Sequence, residues 1–557
     1  MQEFSGVGVS PGRTVGPVVR MPDPISEPPV GGPLPETQRA SEAERITAAA
    51  ATVKADLEAR AAGATGDGKA LLEATALMAA DPTLVTSASS KVTRDGLSPA
   101  RAVWEAADEV ATMLASLGGY MAERARDVQD VRDRLVAVLT GRAAPGVPVR
   151  DEPFVLVALD LAPADTATLD PATTLALVTE QGGPTSHTAI LAKALGLPAV
   201  VAAPGVLAIE EGTFVLVDGS AGTVVLEPDA ATVAKVQAAA SVHLEFDGQG
   251  RTADGHRVAL LANVGDAKGV AAAVQARAEG VGLFRTEFCF LDRSDPPSID
   301  EQVRAYREVL AAFPGQKVVV RTLDAGADKP LPFLTNTAEE NPALGVRGLR
   351  TTKRSPQVLS DQLQAIADAA EQETADVWVM APMVATADEA RDFVALAEQH
   401  GLSTAGVMIE TPAAAISADH VLAHAKFASL GTNDLGQYTM AADRLLGELA
   451  GLNDPWQPAV LRLVKVACAA GAAADRPVGV CGEAASDPAL AVVLVGLGVS
   501  SLSMTPRSIA AVAEVLRRTT LQQCQAAAAQ AVDAASAAAA RRAVRAALAE
   551  TLDELAL

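Results

Sequence analysis

Apolar positions recur along this chain with different periods, and the changes of period divide it. Residues 1–20 read as short strands around a Gly-Pro turn, FSGVGVSPG and then TVGPVV. The following PDPISEPPVGGPLPE is too rich in proline for a helix or a central strand and reads as an irregular linker. From Glu36 to about Gly141, apolar residues return every three or four positions, as in EATALMAA, AVWEAADEVATMLASL and DVRDRLVAVLTG. That spacing predicts a helical bundle. Residues 151–227 switch to short Val/Leu runs broken by Gly, Pro and Asp: FVLVAL, LALVTE, AVVA, TFVLVDG and TVVLEP. These are strand signals, and the N-terminal strands are expected to join the same sheet, making the helical block an insertion within it. DAATVAKVQAAASVHLEF then reads as a helical linker.

From about Arg251 a strand-then-helix rhythm repeats. The candidate strands are VALLANV, VGLFR, VVVRTLD, VWVMAPM, GVMIE, FASLGTND, VGVCGE and SSLSM. Eight such units in about 270 residues match the usual size of a (β/α)₈ TIM barrel. The Ala-rich end, AAAAQAVDAASAAAARR and beyond, predicts one long helix or a frayed tail. The expected domains are therefore 1–20 with 142–228 as an α/β unit, 30–141 as its helical insertion, 229–250 as a linker, 251–525 as the barrel and 526–557 as the tail.

Composition narrows the function classes. The 557 residues are 49% hydrophobic but only 3% aromatic, which suits helical and parallel α/β architecture. The formal net charge is −23, so nucleic acid and anionic lipid are poor partners. Four cysteines without metal-ligand spacing read as reduced thiols. No signal-peptide pattern opens the chain, and no apolar run reaches the roughly 18 residues of a membrane helix. A cytoplasmic protein is expected.

Reactive groups of a (β/α)₈ barrel stand at the C-terminal ends of its strands. Those positions here include Asn263, Arg285, Arg321, Met383, Glu410, Asn433 with Asp434, Cys481 and Ser503. Alone, any one of them is as readily a salt-bridge partner or core filler. Together, arginines (with a later Arg444) suit a multiply anionic ligand, and Glu410 with Asp434 are hard oxygen donors suited to Mg²⁺ shared with a phosphate. A second focus is EQGGPTSHTAILAKALGLPAVVA, where His187 falls in the first turn of a helix, a position that favours an incoming anion.

GGPTSHTAILAKALGLPAVV resembles the phosphohistidine segment shared by Enzyme I of the sugar phosphotransferase system and the pyruvate phosphate dikinases. GVGLFRTEFCFLDR, VVVRTLDAGADKPLP, NPALGVRGLR, MIETPAAA, LGTNDLGQYTMAADR and VGVCGEAASDP resemble the barrel motifs of the same family, in the same order. The resemblance runs from SGVGVSPG to about residue 520. It implies a swivelling phosphohistidine α/β domain with a helical insertion, followed by a TIM barrel that binds phosphoenolpyruvate and dimerises. It further implies His187 as the phosphorylated histidine and Thr166, in PADTATL, as the residue that orients it. Arg285, Arg321 and Arg444 are implied as phosphoenolpyruvate-binding arginines, Glu410 and Asp434 as Mg²⁺ ligands, and Asn433 as a phosphate contact. Cys481 is implied as the acid that protonates the enolate, with Lys329 and Arg347 as charged neighbours. The implied partner is the phosphocarrier protein HPr, docking on the helical insertion, and the implied assembly is a homodimer through the barrel.

Two departures stand out. Leu-Leu-Gly follows Asp443-Arg444 where the family commonly has Gly-Asn or a similar small pair, and Thr75 stands where relatives often carry a histidine. A dikinase charging phosphoenolpyruvate from ATP would need a large ATP-binding domain before the phosphohistidine segment; the block there is helical and lacks a Gly-rich phosphate loop. A regulatory homologue would be favoured by loss of His187 or Cys481, and both are present. A plain metal-dependent barrel lyase leaves residues 1–230 without a task.

Overall fold

The computed structural model describes residues 2–22, 25–63, 67–117, 119–143, 145–148, 150, 152–161, 169–170, 172–183, 186–240, 244–291, 293–325, 331–336, 339–444, 446, 449, 451–555 and 557. Eight strands form the first sheet: β1 (Glu3–Ser5), β2 (Val7–Ser10), β3 (Arg13–Arg20), β4 (Phe154–Ala158), β5 (Thr174–Thr179), β6 (Ala199–Val201), β7 (Phe214–Asp218) and β8 (Thr223–Leu226). Their spatial order is β1-β8-β7-β3-β4-β5-β6-β2. β3 and β4 are parallel neighbours, with Val18 opposite Val155. Among the described residues, five helices lie in sequence between those two strands: α1 (Glu36–Gly63), α2 (Asp67–Ala79), α3 (Pro82–Asp95), α4 (Pro99–Leu117) and α5 (Gly119–Thr140).

The helices have a core of their own. On α1, Ile46, Ala49, Ala50, Val53 and Leu57 are buried, a stripe at helical spacing. α3 begins where the Asp81 side chain accepts from the amides of Thr83 and Leu84 ahead of Pro82. It ends where Gly96 takes φ 69°.

The second sheet is a closed barrel of eight parallel strands: β9 (Ala259–Val264), β10 (Gly280–Arg285), β11 (Lys317–Arg321), β12 (Asp376–Val384), β13 (Ala405–Ile409), β14 (Ala428–Leu430), β15 (Val478–Val480) and β16 (Ser501–Met504). β9 pairs with both β10 and β16, which closes the ring. The strands are nearly continuous apolar runs because a parallel barrel buries both faces. Inside, Leu283, Val319, Met380, Met408, Phe427 and Cys481 pack together.

The chain's end departs from the single helix or tail that its alanines predict. It forms three helices, Leu521–Asp533, Ala537–Ala547 and Ala549–Leu555. Ala534 turns to extended backbone, and Ser536 caps the next helix by accepting from the Ala539 amide at 3.2 Å. Small side chains serve close packing here. A Cβ on Gly496 would lie 2.0 Å from the Cys524 carbonyl oxygen, so the first of these helices nearly touches the backbone of the helix Pro488–Gly496, which flanks the barrel. Arg541 donates to both Asp454 carboxylate oxygens, at 2.8 and 2.9 Å, and Val544, Leu552, Leu555 and Leu557 join the core around the barrel. The same end reaches the first sheet: Arg13 on β3 pairs with Asp553 at 2.7 Å, and Arg545 with Asp218 at 3.4 Å. Among the described residues, no helix is long and apolar enough to cross a membrane.

Candidate active site

The barrel strands deliver their charges to one mouth, where a row of alternating sign forms. Arg321, at the end of β11, binds Glu287 at 2.8 Å and Asp324 at 3.2 Å. Arg347 bridges Asp324 and Asp434, each at 3.2 Å, and Arg444 meets the second oxygen of Asp434 at 3.2 Å. Burial alone works against the Arg321 charge, but Glu287 and Asp324 outweigh it and hold its pKa above the ordinary arginine value. Burial likewise opposes ionised Asp324, yet Arg321 and Arg347 keep its carboxyl below the usual range.

Arg285 stands apart from this row. Among the described residues no carboxylate pairs with it, although the other arginines at the mouth are all neutralised. The residue is open to solvent, and partial burial together with the neighbouring Arg321 charge lowers its pKa. An unpaired guanidinium beside another cation is an anion site.

Glu410 follows β13 and is buried, with one carboxylate oxygen accepting from the Met383 amide at 2.8 Å. Met383 takes φ 61°, an uncommon conformation for a side-chain-bearing residue, and so aims its N–H at the carboxylate. Burial first, then the charges of Asp434 and Asp324, push the Glu410 carboxyl well above its usual range. The helix Thr432–Met440 carries Asn433 and Asp434, and Asn433 Oδ1 accepts from the Glu483 amide at 3.1 Å. Gly431 before it must be glycine: a Cβ there would sit 2.6 Å from Glu410 Oε1.

Cys481 follows β15 and is buried, its Sγ 3.7 Å from the Leu430 carbonyl oxygen. Burial pushes its thiol up to about 11, and a hydrogen bond with Ser429 partly opposes this. The thiol is thus protonated at neutral pH. Its backbone is fixed from the two strands that follow in the ring, β16 and β9, where Ser503 donates to Asn263 Oδ1 at 2.6 Å and Asn263 donates to the Cys481 carbonyl at 3.1 Å.

His187 is the first residue of the helix His187–Leu195, which we call α6. Ser186 caps it, accepting from the Ala189 amide at 3.2 Å, while Thr188 donates to Asp160 at 3.0 Å. Lys193, six positions along and hence about 9 Å up the axis, forms an ion pair with Glu483, two residues after Cys481. The histidine helix therefore docks on the barrel mouth.

Arg285, Arg321, Arg347, Glu410, Asn433, Asp434, Arg444 and Cys481 are thus gathered at one place. Thr166 and Lys329 lie outside the described residues, as does the side chain of His187. Sequence reasoning passed over Glu287 and Asp324, although each stands within three residues of a strand-end arginine. It also gave Arg347 a minor place, where the structure makes it the bridge between two acids. Among the described residues, no three His, Cys, Asp or Glu side chains form a ready metal cage.

Three family models match the chain. They are described as PEP-utilising enzyme, N-terminal (residues 5–124), mobile domain (150–222) and PEP-binding domain (240–521). The chain is 52% identical over 530 residues to a Streptomyces coelicolor protein named phosphoenolpyruvate-protein phosphotransferase, covering 94% of this chain and 95% of that one. Proteins of the same name from Haloferax volcanii and Bacillus subtilis are 41% and 36% identical, covering 92% and 91% of this chain and 94% and 93% of theirs.

The raised thiol pKa makes a prediction. Alkylation of Cys481 by iodoacetamide, followed by peptide mass spectrometry, should be slow at neutral pH and still climbing above about pH 9, beyond the ~8.5 of an ordinary thiol. A rate that levels off by about pH 8 would contradict the assigned protonation state.

Proposed function

The chain belongs to the PEP-utilising enzyme family, and from that premise we propose that it is a phosphoenolpyruvate-protein phosphotransferase, a transferase that moves a phosphoryl group from phosphoenolpyruvate to its own His187 and on to the histidine of HPr. This is the first step of phosphotransferase sugar transport. The observation that carries the reading is Arg285, a guanidinium left without a carboxylate among the described residues of a mouth whose other described arginines are neutralised. Relatives of one name and nearly equal length favour it over a dikinase or a regulatory homologue.

In this reading Arg285 and Arg321 hold the substrate's anionic groups, with Arg444 and the Asn433 amide beside them. Glu410 and Asp434 fit a divalent cation. Both offer hard oxygens, they repel each other across a buried site, and two carboxylates completed by substrate oxygens suit Mg²⁺. A divalent cation held by these two carboxylates would supply neutralisation of phosphate charge. Lys193 on Glu483 brings α6 to the mouth, so that neutral His187, oriented by Thr166, can approach phosphorus opposite the enol oxygen. Cys481 protonates the departing enolate at carbon, giving pyruvate. Arg347 and Lys329 support the site electrostatically.

HPr docks on the helical insertion, residues 30–141, where Leu77 and Met113 stand exposed at 69% and 56%. The barrel pairs with a second copy: exposed Phe288, Leu344, Leu446 and Leu452 all lie on segments that follow barrel strands at the mouth. The setting is the cytoplasm.

Incubation with ³²P-labelled phosphoenolpyruvate and Mg²⁺ should give acid-labile, base-stable label, which His187→Ala abolishes without unfolding the barrel. Label of undiminished stoichiometry in that variant would refute the assignment. Deleting residues 30–141 and rejoining the strands should preserve labelling of His187 but stop transfer to HPr, and normal transfer would remove the insertion from the docking account. Sedimentation should show a homodimer that tightens with Mg²⁺ and phosphoenolpyruvate, whereas a ligand-saturated monomer at micromolar protein would count against pairing through the barrel.

A further inference from the structure

The barrel interior below the mouth is filled unevenly. On one side Val319, Met380, Met408 and Phe427 pack apolar side chains against one another. Beneath Cys481 small and polar residues enter the lining, Ser429 on β14, Gly479 on β15, Ser501 and Ser503 on β16 and Gly282 on β10, facing the apolar Leu261, Val319 and Phe427 across one cavity. Barrel interiors are ordinarily packed with bulky branched aliphatics. Here hydroxyls and glycines leave a cavity of about 10 Å³, roughly the space of one water centre. Strand register makes this a seam rather than a scatter, because Ser429 lies opposite Gly479 and Gly479 opposite Ser501.

The seam has two distinct ends. At the top, Ser429 lies next to the Cys481 thiol, whose Sγ stands 3.7 Å from the carbonyl oxygen of Leu430, the residue that follows Ser429 on β14. At the foot stands Lys317, the first residue of β11 and part of the cavity wall. Its ammonium lies 3.5 Å from the centre of the Trp378 ring and 5.8 Å from that of Phe427. Among the described residues no carboxylate forms an ion pair with Lys317, and Asp376 acts on it only at a distance. The residue is half-buried, so it reaches both the seam and the solvent below the barrel.

An acid that gives its proton to carbon must regain one before the next turnover. From above, Cys481 is poorly placed to do so, being 3% exposed beneath the substrate and the docked α6. We propose that the seam returns this proton from the foot of the barrel, with Lys317 as the entry group and Ser429 as the residue that hands it to Cys481. The proposal rests on the reading of Cys481 as the enolate's acid. As the Cys481 S–H bond breaks, a C–H bond forms at the enolate carbon and leaves a thiolate. The Ser429 hydroxyl gives its proton to that sulfur and takes one through the seam from the Lys317 ammonium. The Lys317 amine is then reprotonated by solvent, so the net change is one solvent proton placed in the pyruvate methyl group. No oxidant or further reactant is needed. Burial lowers the Lys317 pKa to about 8, so its ammonium releases a proton readily near neutral pH.

The test uses the full-length protein with phosphoenolpyruvate, Mg²⁺ and HPr. Ser429→Ala and Lys317→Met should each lower kcat for pyruvate formation at least tenfold, leave KM for phosphoenolpyruvate unchanged and enlarge the solvent deuterium isotope effect. Ser429→Thr, which keeps the hydroxyl, should restore both kcat and the isotope effect. Wild-type kcat and isotope effect in Ser429→Ala would overturn the relay, as would a loss that Ser429→Thr fails to restore. If wild-type protein took no label from phosphoenolpyruvate, the functional reading itself would fall and the relay with it.

Discussion

Buried charge must be compensated, and the whole barrel mouth is organised by that constraint. Ionised groups removed from water are tolerated only when paired, and breaking one buried pair typically costs about 3–5 kcal/mol. Glu287, Arg321, Asp324, Arg347, Asp434 and Arg444 satisfy it as one continuous row of alternating sign. The row ties the ends of β10, β11 and β14 to the loops that follow them, so no member can move without uncovering another's charge. Arg285 is exempt, and the exemption is informative. Among the described residues, a neutralised surround with one unpaired cation selects for an anionic ligand and needs little rearrangement to receive it. The raised carboxyl of Glu410 expresses the complementary need, an acid short of a positive partner.

This rigid mouth is matched to a domain that touches it lightly. The α6 helix meets the barrel through Lys193 and Glu483, while the chain's last helices meet the first sheet through Arg13, Asp218, Arg545 and Asp553. Among the described residues the apolar cores of the barrel and of the first sheet are separate clusters, and these partly buried ion pairs join them. Such an interface suits a domain that must deliver a histidine to the barrel and then leave with its cargo.

Much of this was legible in the sequence, for identifiable reasons. The barrel strands were readable because parallel strands buried on both faces form unbroken apolar runs, and the rule that chemistry sits at strand ends then pointed to Arg285, Arg321, Glu410 and Cys481. Gly431 and Met383 were not readable, since their contributions lie in backbone approach and dihedral angle. Glu287 and Asp324 were missed because an acid near an arginine in sequence looks like ordinary surface charge until the fold buries both. The C-terminal segment was misjudged because alanine content predicts helix but not where helices break. Ser536 as a cap and the stripe of Ala527, Ala528 and Ala531 facing the barrel decide that. The seam of Ser429, Ser501 and Ser503 was equally hidden, because hydroxyls within a strand become a feature only when the barrel closes around them.

The central claim is that this chain is itself the first acceptor of the phosphoryl group from phosphoenolpyruvate. Rapid-quench measurement of pyruvate release without any protein acceptor tests it most directly. Mixed with excess phosphoenolpyruvate and Mg²⁺, the protein should release about one pyruvate per chain in a burst and then stop, because His187 is filled and has nowhere to pass its group. Continuous release of pyruvate without an acceptor, or no burst at all, would contradict the account.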